Sequence, residues 1–261
     1  MNKKTIVLIF SILTLAAAAF AANLANPATQ VSDARMSFGV SYYIGGADIT
    51  DYEIPMMMNR VCGRVSYAPI RYVNFGLDFG TTQISVDKYS LNDRDTVPVF
   101  EGRFGGVIGG HLKLTSPYFG EYVALLGIGN VNYFRSTNKP GAFYGGVDVA
   151  VAAGAQLRIP NIGYLSAGPQ IYYIAGENKA FNSKEKGKYS PVNNVRAFIA
   201  FDYFPEDAFI MWDHKPYVSI EFTASPKING SKRAPIREFS FSVSIGAITQ
   251  RLYGEDTGIE Y

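Results

Sequence analysis

A chain of 261 residues with a formal charge of +2 and 18% charged residues is neither a polybasic nucleic-acid binder nor an acidic, solvated tail. Its single cysteine, Cys62, rules out an intramolecular disulfide, so stability has to come from hydrogen-bonded backbone and packing. Glycine (26), tyrosine (18) and phenylalanine (18) are abundant, which suits pleated strands that cross closely and turn tightly.

The chain opens with Lys3 and Lys4, an apolar run from Ile6 to Leu15, and small residues at Ala19 and Ala21. That order predicts a cleaved secretory signal over residues 1–21. The apolar run is short against the roughly 20 residues of a helical membrane span. A lipid anchor would need cysteine after the cleavage point, where Ala22 stands. A polar segment, 22–33, then leads into one uninterrupted domain expected over 34–253, with a tail at 254–261.

Within that domain, alternation with a period of two recurs and predicts about ten strands. Met36, Phe38, Val40, Tyr42 and Ile44 share one face of the first, with Arg35, Ser37, Gly39 and Ser41 on the other. Val61, Val65 and Tyr67 oppose Arg60, Cys62, Arg64 and Ser66, and a turn is expected at Pro69-Ile70. Val73, Phe75, Leu77 and Phe79 oppose Asn74, Gly76 and Asp78. A fourth strand sets Phe100, Phe104, Ile108, Leu112 and Leu114 against Glu101, Arg103, His111 and Lys113. A fifth spans Tyr122 to Tyr133. Next, Val147 to Leu157 at odd positions oppose Asp148, Gln156 and Arg158, and a turn follows at Pro160-Asn161. Leu165, Ala167, Ile171 and Tyr173 oppose Ser166, Gln170 and Tyr172. Val195 to Tyr203 at odd positions oppose Arg196 and Asp202, and Val218, Ile220 and Phe222 oppose Ser219, Glu221 and Thr223. Last, Phe239, Phe241, Val243, Ile245 and Ala247 oppose Ser240, Ser242, Ser244 and Gly246.

Several of these strands are long enough to cross a bilayer at a tilt, which takes about 9–11 residues. Long polar connections (Gly45–Met57, Thr81–Val97, Glu177–Val192, Ser225–Ile236) tend to alternate with short ones, as in an up-and-down barrel. In hydrocarbon an unpaired backbone amide costs several kcal/mol, so a membrane sheet must close and leave no edge. Too many of the polar faces carry full charges to fill a dry soluble core. Tyr42, Tyr67, Phe79, Phe100, Tyr203 and Tyr217 fall near strand ends, where interfacial aromatic girdles sit. The expected fold is all-β, a closed antiparallel up-and-down transmembrane β-barrel of about ten strands.

The final strand, Glu238-Phe239-Ser240-Phe241-Ser242-Val243-Ser244-Ile245-Gly246-Ala247, resembles the closing strand of the small eight-to-ten-stranded outer-membrane barrels of Gram-negative bacteria. Tyr253 keeps the parity of Phe239, although the tail from Arg251 carries the chain past it. The resemblance covers the mature chain as architecture and implies a porin-like place in the outer membrane. It also implies recognition of the closing strand by the barrel assembly machinery, contact with lipid and lipopolysaccharide, and a monomer. Nucleic acid is not an expected partner.

The resemblance further implies that an enzyme of this class would set a histidine with a serine or an acid near the outer rim. His111, and His214 in Trp212-Asp213-His214-Lys215, fall at the opposite end, so no catalytic set and no enzyme is expected. The glycines of Gly105 to His111 lack the lysine and hydroxyl of a phosphate loop and read as strand crossings. Asn92-Asp93-Arg94-Asp95 reads as a solvated turn rather than a calcium loop, and Asn229-Gly230-Ser231 as a turn. Cys62 reads as a small inward filler. No cofactor or metal is expected.

The candidate site is the lumen. Its predicted charges are Arg60, Arg64, Asp78, Glu101, Arg103, Asp148, Arg158, Arg196, Asp202 and Glu221, which must pair or stay hydrated once removed from bulk water. A barrel of this size sits near the limit that side chains can fill. The expected role is structural or surface-interactive with a largely plugged lumen, and the alternative is a narrow channel for small or apolar solutes. Loop cations (Lys179, Lys184, Lys186, Lys188, Lys227, Lys232, Arg233) are candidates for lipopolysaccharide phosphates.

Overall fold

The computed structural model describes residues 34–49, 54–86, 89–91, 95–97, 100–138, 142–179, 187–189, 194–204, 214–225 and 239–249. The expected signal and C-terminal tail lie outside them. The strands in chain order are β1 (Arg35–Ile49), β2 (Ile54–Ile70), β3 (Val73–Val86), β4 (Tyr89–Leu91), β5 (Asp95–Val97), β6 (Phe100–Glu101), β7 (Gly105–Thr115), β8 (Val123–Thr137), β9 (Phe143–Ile159), β10 (Gly163–Lys179), β11 (Gly187–Tyr189), β12 (Val195–Tyr203), β13 (Lys215–Ala224) and β14 (Phe239–Ile248).

Ten of them close a ring. Neighbours run antiparallel in the order β1, β2, β3, β7, β8, β9, β10, β12, β13, β14, and β14 pairs back onto β1 from Ser37↔Ile248 to Gly45↔Ser240. Every consecutive pair in the ring is adjacent, as hairpin connections favour. Followed once round, the residue pairing returns to β1 displaced by about twelve positions, which tilts the strands roughly 40° to the barrel axis. The small strands β4, β5, β6 and β11 belong to the long connections, where β6 pairs with the end of β3, β11 with the end of β10, and β4 with β5.

The two faces carry opposite chemistry. Val40 (59% exposed), Leu77 (63%), Ile108 (61%), Ile171 (60%) and Ile245 (60%) stand on the outer surface, while Arg60, Asp78, His111, Lys113 and Asp148 are buried within. A soluble protein does not expose a continuous apolar belt of this kind. A barrel in lipid requires one.

Several expectations are corrected. The β2–β3 turn is made by Arg71 and Tyr72 and not by Pro69-Ile70, because a register shift between Tyr67 and Ile70 carries β2 further. The connection expected from Gly45 to Met57 is mostly strand: β1 and β2 pair out to Ile49↔Ile54. At 15 and 17 residues, they outrun the bilayer crossing and project beyond it on the long-connection side.

The largest correction is at β6–β7. Ser85 pairs Glu101, and Thr82 pairs Gly105, so one extra residue sits in the strand opposite β3. This β-bulge reverses the parity of everything before it. Phe100 therefore turns into the barrel, where it is buried, and Glu101 turns out beside Ser85 and is exposed. Arg103, bridged to Thr137 on the outward parity of β8, is exposed as well. Tyr217 lies on the inward parity of β13 and is 1% exposed, so neither Phe100 nor Tyr217 belongs to an outer aromatic girdle.

Candidate functional site: the filled lumen

Moving along the barrel axis, the lumen changes character. At the long-connection end it is apolar. Met56, Met58, Ile84, Val86, Phe134 and Ile174 are buried there with Phe100, Tyr144 and Tyr189. The rings of Phe100 and Tyr144 stand 4.7 Å apart, and those of Tyr144 and Tyr189 5.5 Å apart. Their polar ends are met: Asn178 Nδ2 donates to the Tyr144 hydroxyl at 3.1 Å, and the Tyr189 hydroxyl donates to the Gly145 carbonyl at 3.3 Å. Gly176 makes room for this cluster, since a Cβ there would come within 2.5 Å of the Tyr189 hydroxyl.

Below the apolar layer lies a charged belt. Arg60 on β2 forms an ion pair with Asp148 on β9, four places round a ten-membered ring, so the contact spans the lumen. The Arg60 guanidinium also stacks 5.2 Å over the ring of Phe134, which places it where the charged belt meets the apolar layer. Arg64 pairs with Oδ1 of Asp78. The other Asp78 oxygen accepts from Asn130 Nδ2 at 3.2 Å and faces His111 Nδ1 at 3.0 Å. Asn132 Nδ2 donates to Asn130 Oδ1 at 2.9 Å and to Asp148 Oδ1 at 3.0 Å, joining the two ion pairs into one network. Paired charges with their remaining lone pairs satisfied are the form in which charge is tolerated inside a barrel.

On the opposite wall, Arg196 donates to the Gly46 carbonyl at 3.0 Å and stacks 4.2 Å over Tyr172. Ser219 donates to Asp202, which is buried on this wall. Ser37, Ser41, Ser219, Thr223, Ser240, Ser242 and Ser244 make this wall a hydroxyl surface. At the short-turn end Tyr164, Phe204, Tyr217, Ala68 and Ile248 close the interior, with the Tyr164 and Phe204 rings 5.9 Å apart.

Of the ten predicted lumen charges, Arg60, Arg64, Asp78, Asp148, Arg196, Asp202 and Glu221 are buried inside, Arg158 is half-buried, and Glu101 and Arg103 lie outside. The structure brings Arg60 to Asp148 and Arg64 to Asp78. Arg35 and Lys113, expected on inward faces but not among the lumen charges, are buried too, as are Asn130 and Asn132, whose strand had no predicted register. The inward parity of Lys113 was readable. That of the two asparagines needed the register of β8.

His111 lies toward the short-turn end, as its place in the sequence predicts, and both of its ring nitrogens have partners in the belt. Ser66, Gly76, His111 and Asn130 form one row across β2, β3, β7 and β8. His111 reaches over Gly76 to place Nε2 2.7 Å from Ser66 Oγ. Its other nitrogen faces Asp78.

Cys62 is buried as an inward filler. His214 is half-buried beside β13, while Trp212 and Asp213 lie outside the described residues, as do Asn92 to Arg94 and Asn229 to Ser231. Among the described residues no cluster could hold a metal ion.

A closed ring, an apolar exterior and a polar, filled interior define a transmembrane β-barrel. The chain is similar to two solved structures: the translocator domain of autotransporter NalP from Neisseria meningitidis (TM-score 0.48, 8% identity, covering 94% of this chain and 95% of that one) and the outer membrane protease OmpT from Escherichia coli (TM-score 0.41, 8% identity, 82% and 94%). No family model and no curated protein matches the chain.

Proposed function

We propose that this chain is an outer-membrane protein whose lumen is sealed by its own side chains and whose role, structural or surface-interactive, is exercised through the long connections. The observation that carries this reading is the Arg60–Asp148 pair spanning the lumen, tied through Asn132 and Asn130 to Asp78 and Arg64 and flanked by apolar layers at both ends. An ion crossing the barrel would have to break the charged belt and also part the layer around Met58, Phe134 and Tyr144. Ten strands lie near the size at which side chains fill the interior, far from the sixteen or so of open porins.

The secretory signal read in residues 1–21 and the alternating closing strand β14 support export and insertion by the barrel assembly machinery. Lys188, exposed on β11 at the long-connection end, supports contact with lipopolysaccharide phosphates. The other loop cations assigned to that role, apart from Lys179 at the end of β10, lie outside the described residues.

The test is single-channel recording of the refolded mature chain in a planar bilayer. Folded, inserted protein is expected to be silent. Reproducible conductance steps from the unmodified chain would replace this reading with that of a narrow channel.

A further inference from the structure

We infer that Ser66 is an activated nucleophile, with His111 as its base and Asp78 as the acid that orients the imidazole. The three side chains come from neighbouring strands and are buried at 1%, 4% and 2% exposure. The proton positions follow from the contacts. Asp78 is held as a carboxylate by Arg64 on one oxygen, and a carboxylate only accepts, so His111 Nδ1 carries the hydrogen across its 3.0 Å contact. That leaves Nε2 as the acceptor for the Ser66 hydroxyl, 2.7 Å away. Nucleophile to base and base to acid are both at hydrogen-bond distance, the geometry by which such a set is recognised whatever the fold.

Two further features show that the arrangement is built into the strands. Gly76 lies between Ser66 and His111 in the same row, and a Cβ there would stand 2.1 Å from the Val65 carbonyl oxygen, 2.6 Å from His111 Nε2 and 2.7 Å from its Cε1. Only glycine lets the imidazole cross β3 to reach the serine. Asp78, for its part, is fixed by Arg64 and Asn130 in addition to His111, so its carboxylate cannot swing away. The next inward pair toward the short turns, Asn74 and Lys113, adds buried donors to the same wall.

The substrate class that fits is a small acyl ester. Both ends of the lumen are closed at rest, the short-turn end by Tyr164, Phe204 and Tyr217, so the ester that fits is one small enough to pass as that layer parts. As the bond from Ser66 Oγ to the carbonyl carbon forms, the hydroxyl proton passes to His111 Nε2. The bond from that carbon to the alkoxy oxygen then breaks, and the departing oxygen takes the proton from Nε2. Water attacks the acyl-serine by the same route, releasing the carboxylic acid and restoring Ser66.

The inference goes beyond the sealed-barrel reading, and conductance and serine reactivity are separate measurements that tell the two apart. The refolded mature chain is treated with a small alkyl fluorophosphonate, and the adduct is located by peptide mass mapping, with heat-modifiable gel mobility used to verify the fold. One adduct is expected on Ser66. It should be lost in Ser66→Ala and form about a hundredfold more slowly in His111→Gln, while Ser41→Ala reacts like the parent. Hydrolysis of p-nitrophenyl acetate should fall with the labelling in each variant. No adduct on folded protein, or equal labelling of Ser66 with and without His111, would overturn the inference.

Discussion

The charged belt and the apolar layer above it fill the same lumen by different physics. In the belt, Arg60, Asp148, Arg64 and Asp78 are held by directional contacts whose partners come from strands up to four places apart. In the apolar layer, Met56, Met58, Ile84 and Phe134 fill space with no such obligation. A belt built on pairing fails when one member is lost, because the survivor is a buried, uncompensated charge. A layer built on packing fails in proportion to the volume removed. Arg60, paired with Asp148 and stacked on Phe134, is where the two meet.

The sharpest way to break this contrast is at that junction. Arg60→Ala should destabilise the barrel by about 3–5 kcal/mol, since Asp148 is left without its cation, as measured by denaturant unfolding from lipid vesicles. Replacing both partners, as Arg60→Met with Asp148→Leu, should recover most of that loss. If the double variant is as unstable as the single one, the belt is more than a set of pairs. A smaller effect is expected in the apolar layer: Met58→Ala should cost about 2 kcal/mol in the same experiment and leave the bilayer recordings silent. The smallest concerns a charge that the structure moves out of the lumen. Glu101→Ala should change stability by no more than about 0.5 kcal/mol, and an effect as large as that of Arg60→Ala would contradict the bulge at Gly102 to Phe104.

Much of the outer surface was legible. Phe38, Val40, Leu77, Ile108, Ile171 and Ile245 declare an apolar face by simple alternation, and each is exposed on the barrel. Legibility failed where alternation was interrupted or doubled. One inserted residue before β7 exchanged the faces of Phe100 and Glu101. In Ile54 to Met58 apolar residues run on both faces, and that stretch read as a loop when it is the paired start of β2. The reason is that Met56 and Met58 face an apolar interior there and not a polar one.

By itself the sequence determined which residues share a face and that the apolar face must look outward. A period of two sets parity locally, and the number of inward charges forbids a dry core of the opposite sense. It also marked a chain of about ten strands, from the spacing of its alternating segments and turns. Only the tertiary structure decided which inward groups meet. Arg60 and Asp148 are 88 positions apart, and Ser66 and His111 are 45 apart. Bringing them together depends on the pairing offsets and bulges of the intervening strands and on the tilt that closure imposes on the ring. Parity is a property of each strand alone, whereas partnership across the lumen is a sum over the strands between.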